Sequence, residues 1–181
     1  IARQIEEMKK QTIGVEVEMN NITREKAAKI AARFFGTGRY ENTARRNGYC
    51  TWSAWDTQNR EWKFQKDVSI AGPESEECEL VTPILTYADM ATLQELIRQL
   101  RHAGAKSDAS RGCGVHIHIG AKGHTPQTLR NLANIMASHE SLIADALNLD
   151  RGRMRRYCRT VDPRFLETLN RKKPKTMSAL A

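Results

Sequence analysis

Glu16 and Glu18 stand two residues apart in GVEVEM (14–19), alternating with Val15 and Val17. Residues i and i+2 of a strand share one face. Both carboxylates are therefore expected on one side of a sheet and the valines on the other. Like charges side by side repel, and a divalent cation between them removes that cost. The plainer alternative is a solvated sheet face. His116 and His118 repeat the spacing in GCGVHIHIG (112–120), opposite Val115, Ile117 and Ile119. The chain has five histidines. Two of them on one strand face suit contact with a metal or a phosphate group, against the alternative of two half-buried, hydrogen-bonded imidazoles. Gly112, Gly114 and Gly120 flank them, and a glycine beside a strand lets a ligand or another backbone come close. Glu79 sits in the short apolar run CELVTP (78–83), either exposed at an edge or part of a site. Asp67 follows Trp62 and Phe64, with Ser69 two residues on, and is either a strand-end turn residue or a site residue.

Glu16, Glu18, Glu79, His116 and His118 come from three strands. Gathered on one polar face they form an oxygen-rich donor set, which suits Mg²⁺ or Mn²⁺ better than Zn²⁺. Such carboxylate sites commonly bind substrate phosphates as well.

The elements that must position these residues are legible from periodicity. Residues 12–20 alternate as a strand. Residues 23–35 form a helix, capped by Thr23 and ended by Gly36, with Ala27, Ile30, Ala31 and Phe34 on one face. The aromatic-rich runs 49–55 and 61–67 pair as a hairpin around the turn residues 56–60. Residues 72–77 are a loop, and 78–83 a strand ended by Pro83. A second helix spans 86–103, capped by Thr86 with Asp89 in its first turn. Its apolar stripe is Met90, Leu93, Leu96, Ile97 and Leu100. Residues 112–120 are another strand. A third helix spans 125–147, with Thr125 at its cap and Pro126 at its first position, and Leu129, Leu132, Ile135 and Met136 facing inward. Residues 151–175 have no clear period. This order predicts an α+β fold: an antiparallel or mixed sheet with helices on one face.

The net charge of +8 is unevenly placed. Residues 1–150 hold 19 basic and 19 acidic side chains, whereas residues 151–181 hold 10 basic and 2 acidic. That distribution excludes a uniformly basic protein that coats nucleic acid. No apolar run approaches the ~18 residues of a membrane span. The four cysteines form no CxxC pair, which points to neither a disulfide framework nor a zinc finger and favours a reduced, cytoplasmic setting.

The ordered motifs resemble the amidoligase family, carboxylate–amine ligases of the glutamine synthetase and glutamate–cysteine ligase superfamily. The resemblance runs through GVEVEM (14–19), WKFQKDVS (62–69), ELVTPIL (79–85), HAGAK (102–106), GCGVHIHIG (112–120), the His139–Glu140 pair and RRYCR (155–159), from about residue 12 to about residue 170. It implies a single catalytic domain with a glutamine synthetase-like, mostly antiparallel sheet. The polar face of that sheet would form the site, and 151–181 would be a basic segment of the same domain. It further implies ATP-dependent amide formation through an acyl phosphate. Glu16, Glu18, Glu79 and His116 would then hold Mg²⁺ or Mn²⁺. His116, His118, Arg153 and Arg159 would bind ATP, and Arg155, Arg156 and Asp67 would act as catalytic residues. Arginine is well shaped for bidentate phosphate contact, although a solvated charge run or nucleic-acid contact would account for the same cluster.

Two departures accompany the resemblance. Asp67-Val68-Ser69 stands where the family usually has Asp-Gly-Ser. Nothing after Leu169 supplies the family's later Glu-Phe-Arg strand, so a C-terminally truncated member is expected. The partners implied are small-molecule or peptide carboxylate and amine substrates, with no membrane and nucleic acid disfavoured. Oligomeric state stays open. The competing functions are a divalent-metal-dependent hydrolase and a non-catalytic, basic nucleic-acid-binding protein.

Overall fold

The computed structural model describes residues 2–180. Its strands are β1 (Ile13–Met19), β2 (Tyr40–Asn42), β3 (Trp52–Trp55), β4 (Glu61–Gln65), β5 (Cys78–Val81) and β6 (Val115–Ile119). They make one sheet in the order β2-β3-β4-β5-β1-β6, antiparallel at every pairing. The helices are α1 (Ala2–Lys9), α2 (Arg24–Phe34), α3 (Ala44–Asn47), α4 (Met90–His102), α5 (Pro126–Ala146), α6 (Arg151–Arg156), α7 (Pro163–Lys172) and α8 (Met177–Leu180). The α+β expectation holds. The chain divides into two compact units, one ending at Gly120 and the other beginning at Ala121.

In the first unit, strand alternation separates two chemistries. Val15, Val17, Met19, Ala54, Trp62, Phe64, Cys78 and Leu80 are buried on one face and form the core with α2 and α4. Fully burying side chains such as Trp62, Phe64 or Leu80 contributes roughly 1.5–3 kcal/mol each. Burial pushes the Cys78 thiol up to about 12, so Cys78 packs as a small apolar residue.

Thr23 caps α2 by accepting from the Lys26 amide at 3.2 Å. The face that α2 buries is rotated from the one expected. Ala27, Ala28, Ala31 and Ala32 are fully buried, while Ile30 and Phe34 pack at the margin. Small side chains let the helix lie close to the sheet, which places the bulkier residues beside the contact rather than in it. Before α4, a single 3-10 turn (Tyr87–Asp89) carries a Thr86–Asp89 capping box, and Leu93, Leu96 and Leu100 are buried along the helix.

Some expectations fail. α1, β2 and α3 have no counterpart in the periodicity, being short and mostly exposed. Residues 151–175 are not aperiodic, since they contain α6 and α7. Asp150 and Asp162 cap these helices through the amides of Arg153 and Arg164. Six residues are too few to show a helical period in α6.

Of the inward face expected for the third helix, Leu129 is half-buried and the other three residues are not. Leu132, Ile135 and Met136 of α5 are exposed, and among the residues of α5 only Ala144 is buried. Within the second unit, the shorter helix α7 lies against α5, and Asn134 and Asn170 exchange amide hydrogen bonds at 3.0 and 2.8 Å. One ten-residue helix cannot cover an α5 that is apolar on more than one side. Among the described residues no helix is long and apolar enough to cross a membrane.

Candidate metal and phosphate site

The face of the sheet opposite the core is polar, and its strands are in register across the functional residues. One row runs Gln65–Glu79–Glu18 over β4, β5 and β1. The next runs Glu41–Ser53–Lys63–Val81–Glu16–His116 from β2 to β6. His118 faces Gly14 one row further on. A Cβ at Gly14 would lie 3.8 Å from that of His118, an ordinary contact, so the packing there does not require glycine.

The side chains converge. Glu18, Asp67 and Glu79 each bring a carboxylate oxygen within 4.8 Å of the others. Glu16 lies beside them, its oxygens 3.2 Å from His116 Nδ1 and 3.3 Å from His118 Nε2. His116 Nε2 stands 3.9 Å from Glu18. Glu79 is on a central strand and buried, which removes the edge-exposed reading. Burial pushes its carboxyl above the usual glutamate value. A hydrogen bond from Gln65 Nε2 at 2.8 Å opposes that, and the charges of Glu16, Asp67 and Glu18 push it further up.

Three clustered carboxylates, two of them buried on strand interiors, fit a hard divalent cation. Glu16 with its two imidazoles adds mixed nitrogen and oxygen donors alongside.

Asp67 is held by its loop. Its carboxylate accepts from the Ser69 amide at 2.7 Å, so it is a turn residue and a member of the cluster at once. The loop is fastened beyond that point. Ile70 is buried, and the Ala71 amide donates to Arg111 O at 2.7 Å. Gly112 has φ +87, and a Cβ there would collide with the Ser69 carbonyl. The glycine is needed for this close backbone approach, which delivers Asp67 to the face. Valine in place of the family's usual glycine at position 68 is fully compatible with the turn, its side chain being exposed.

Just before β3 the backbone is strained. Gly48, Tyr49 and Cys50 are all left-handed, with φ of 69, 49 and 50. Tyr49 O accepts from the Lys66 amide at 2.8 Å, so this loop adjoins the residue preceding Asp67.

A second group of carboxylates sits around the β3–β4 turn. Asp56 accepts from the amides of Gln58 and Arg60, the Arg60 guanidinium at 2.8 Å and Trp62 Nε1 at 3.0 Å. Arg60 also pairs with Asp89 at 2.9 Å. Glu61 accepts from Ser53, Arg46 and Asn47 at 2.7–2.9 Å. Burial would raise Asp56 and Glu61, but these hydrogen bonds outweigh it and hold both below their ordinary values. The Arg60 hydrogen bond does the same for Asp89 despite its burial.

The arginines expected to contact phosphate belong to the second unit. Arg153 and Arg156 lie over the Tyr157 ring, 5.1 and 5.6 Å from its centroid. Arg159 Nε donates to Arg155 O at 3.3 Å, and Arg155, Arg156 and Arg159 are exposed. Glu140 is the acceptor for the Val161 amide at 2.9 Å, which ties α5 to the segment before α7. Gln65 and Lys63 were missed as residues of the polar face. The alternation of EWKFQ, with Trp62 and Phe64 pointing to the core, was the signal that could have found them.

A family model described as "Putative amidoligase enzyme" matches residues 9–181. No curated protein and no solved structure matches the chain.

Proposed function

The chain belongs to the amidoligase family, and on that premise we propose that it joins a carboxylate to an amine at the expense of ATP. The observation that carries this reading is the convergence of Glu18, Asp67 and Glu79 within 4.8 Å on the polar sheet face, beside Glu16 and the His116–His118 pair. Glu18, Asp67 and Glu79 would hold one divalent cation, and Glu16 with the imidazoles a second or the phosphates themselves. Mg²⁺ or Mn²⁺ bound there would neutralise phosphate charge during phosphoryl transfer.

The chain's own contribution is placement. The strand pairing fixes Glu16, Glu18 and Glu79 and the fastened loop fixes Asp67 before any ligand arrives, and Gln65 orients Glu79 through one oxygen. No protein nucleophile is required. The substrate carboxylate attacks the γ-phosphorus of ATP, forming an acyl phosphate and releasing ADP. The amine then attacks the acyl carbon, releasing phosphate and a proton. For the exposed Arg155, Arg156 and Arg159, and for Arg153, phosphate contact is the role that suits guanidinium chemistry.

The test is a calorimetric and thermal-shift titration with Mg²⁺-ATP. Binding that requires the divalent ion, and that is lost in Glu79→Gln and in the Glu16→Ala/His116→Ala double variant, supports the ligase. Tight Zn²⁺ binding with no nucleotide effect would overturn it in favour of a metal-dependent hydrolase.

A further inference from the structure

Lys63 lies on the polar face and makes no side-chain hydrogen bond or ion pair among the described residues. It lies in the middle of β4, between Ser53 and Val81 in its cross-strand row, and it is half-buried. Its same-face neighbours along β4 are Glu61 and Gln65. Glu79 is its diagonal neighbour across the β4–β5 pairing, a position that long side chains reach. Carboxylates thus stand on two sides of Lys63, yet it makes no side-chain hydrogen bond or ion pair among the described residues. Glu61 is engaged by Ser53, Arg46 and Asn47, and Glu79 by Gln65.

The neighbouring lysine shows the usual arrangement, with Lys66 Nζ pairing with Glu74 at 2.9 Å. An ammonium beside a carboxylate cluster normally neutralises it. Lys63 does not, so its positive charge remains available when cations fill the cluster. Cations and an ammonium on one face repel each other unless an anion lies between them.

We propose that Lys63 binds an oxyanion, a phosphate or carboxylate group of the substrates, and anchors it against the metals held by Glu18, Asp67 and Glu79. The proposal rests on the metal-site reading above and adds a residue that fixes where the anion sits. A charged hydrogen bond from lysine shortens and strengthens such a contact without fixing its orientation as arginine would.

The experiment is calorimetry on the full chain. Mn²⁺ is titrated first, then inorganic tripolyphosphate or L-glutamate at saturating Mn²⁺, in the wild type and in Lys63→Met, Lys63→Arg and Lys29→Met. Lys29 is an exposed residue of α2 and controls for the loss of one positive charge. The expected result is unchanged Mn²⁺ binding in Lys63→Met, with about a tenfold or greater loss of affinity for one oxyanion. Lys63→Arg retains most of that affinity and Lys29→Met all of it. Loss confined to tripolyphosphate identifies phosphate as the ligand, and loss confined to glutamate identifies carboxylate. Equal binding of both probes by wild type and Lys63→Met overturns the proposal. So does failure of the wild type to bind either probe, or loss of Mn²⁺ binding itself in Lys63→Met. Mg²⁺-ATP is titrated in parallel. Lys63-dependent tripolyphosphate binding without ATP binding would overturn the ligase and leave Lys63 standing, whereas ATP binding with neither probe dependent on Lys63 would do the reverse.

Discussion

Two groups of carboxylates occupy the same unit and differ in what surrounds them. Around the β3–β4 turn, Asp56, Asp89 and Glu61 are each met by arginine, amide or hydroxyl donors, and all three are held below their ordinary pKa values. On the β5–β1–β6 stretch of the polar face, Glu79 has one neutral donor, Gln65, and is pushed above its ordinary value. Arginines meet the first group, whereas in the second Glu79 meets the Gln65 amide, Asp67 the Ser69 amide and Glu16 the two imidazoles. A structural carboxylate lowers the energy of the fold as it stands. A carboxylate crowded by its own kind is relieved by a proton or, on the function proposed above, by a divalent cation.

The comparison can be broken most sharply at the crowded group. If Glu79 ligates a metal as proposed, Glu79→Gln is expected to weaken Mn²⁺ binding by about a hundredfold or more, while the metal-free variant melts no lower than the wild type. Calorimetry and thermal denaturation in EDTA measure the two halves. A variant that binds Mn²⁺ normally, or melts far lower without metal, would remove the distinction drawn between the two groups. The mirror-image change is Asp56→Ala. It takes one of two carboxylate partners from Arg60, leaving Asp89, and leaves the buried Trp62 indole N–H without its acceptor, and should cost roughly 2–3 kcal/mol of stability, read from denaturant unfolding, with Mn²⁺ affinity intact.

A smaller effect distinguishes the backbones beside the two groups. The β3–β4 turn uses Asn59 at φ 59, a residue type that tolerates the left-handed region. The loop leading into β3 forces Tyr49 and Cys50 there instead. Cys50→Gly is therefore expected to stabilise the protein by about 1 kcal/mol, measured as a rise in the unfolding midpoint. No gain would show that the left-handed pair is not strained.

The pH dependence separates the groups most gently. Asp56, Asp89 and Glu61 contribute stability above their ordinary values of 3.8 and 4.5, and lose it as pH falls through their lowered folded values. Glu79 works in reverse. Its contribution is present below 4.5 and lost as pH rises through its raised folded value. In EDTA the melting temperature should decline as pH climbs through the range above 4.5, and that upper slope should flatten in Glu79→Gln or with Mn²⁺.

Much of this organisation was legible beforehand. Alternation put Glu16 and Glu18 opposite Val15 and Val17, and His116 and His118 opposite Val115, Ile117 and Ile119, because a strand's period of two is fixed by local geometry. The capping residues Thr23, Thr86 and Thr125 were readable for the same reason, since a cap is satisfied within three residues. Asp67 was readable as a turn residue. Its approach to Glu18 and Glu79 depends on Gly112, more than forty positions away, and no local pattern signals that contact. The rotated face of α2 and the exposed Leu132, Ile135 and Met136 of α5 were misread because periodicity ranks faces by apolarity, and burial is decided by what lies opposite.

The sequence by itself determined the two-sidedness of each strand, the residue types able to hold a divalent cation, and the family, because these depend on spacing and order along the chain. Tertiary structure alone decided the strand order and register that set Glu18 beside Glu79 and Glu16 beside His116. It also decided which carboxylates would meet arginines and which would gather beside one another. Strand pairing joins residues as far apart as Ile13 and Ile119, and the free energy of a charge depends on every group around it rather than on its neighbours in sequence.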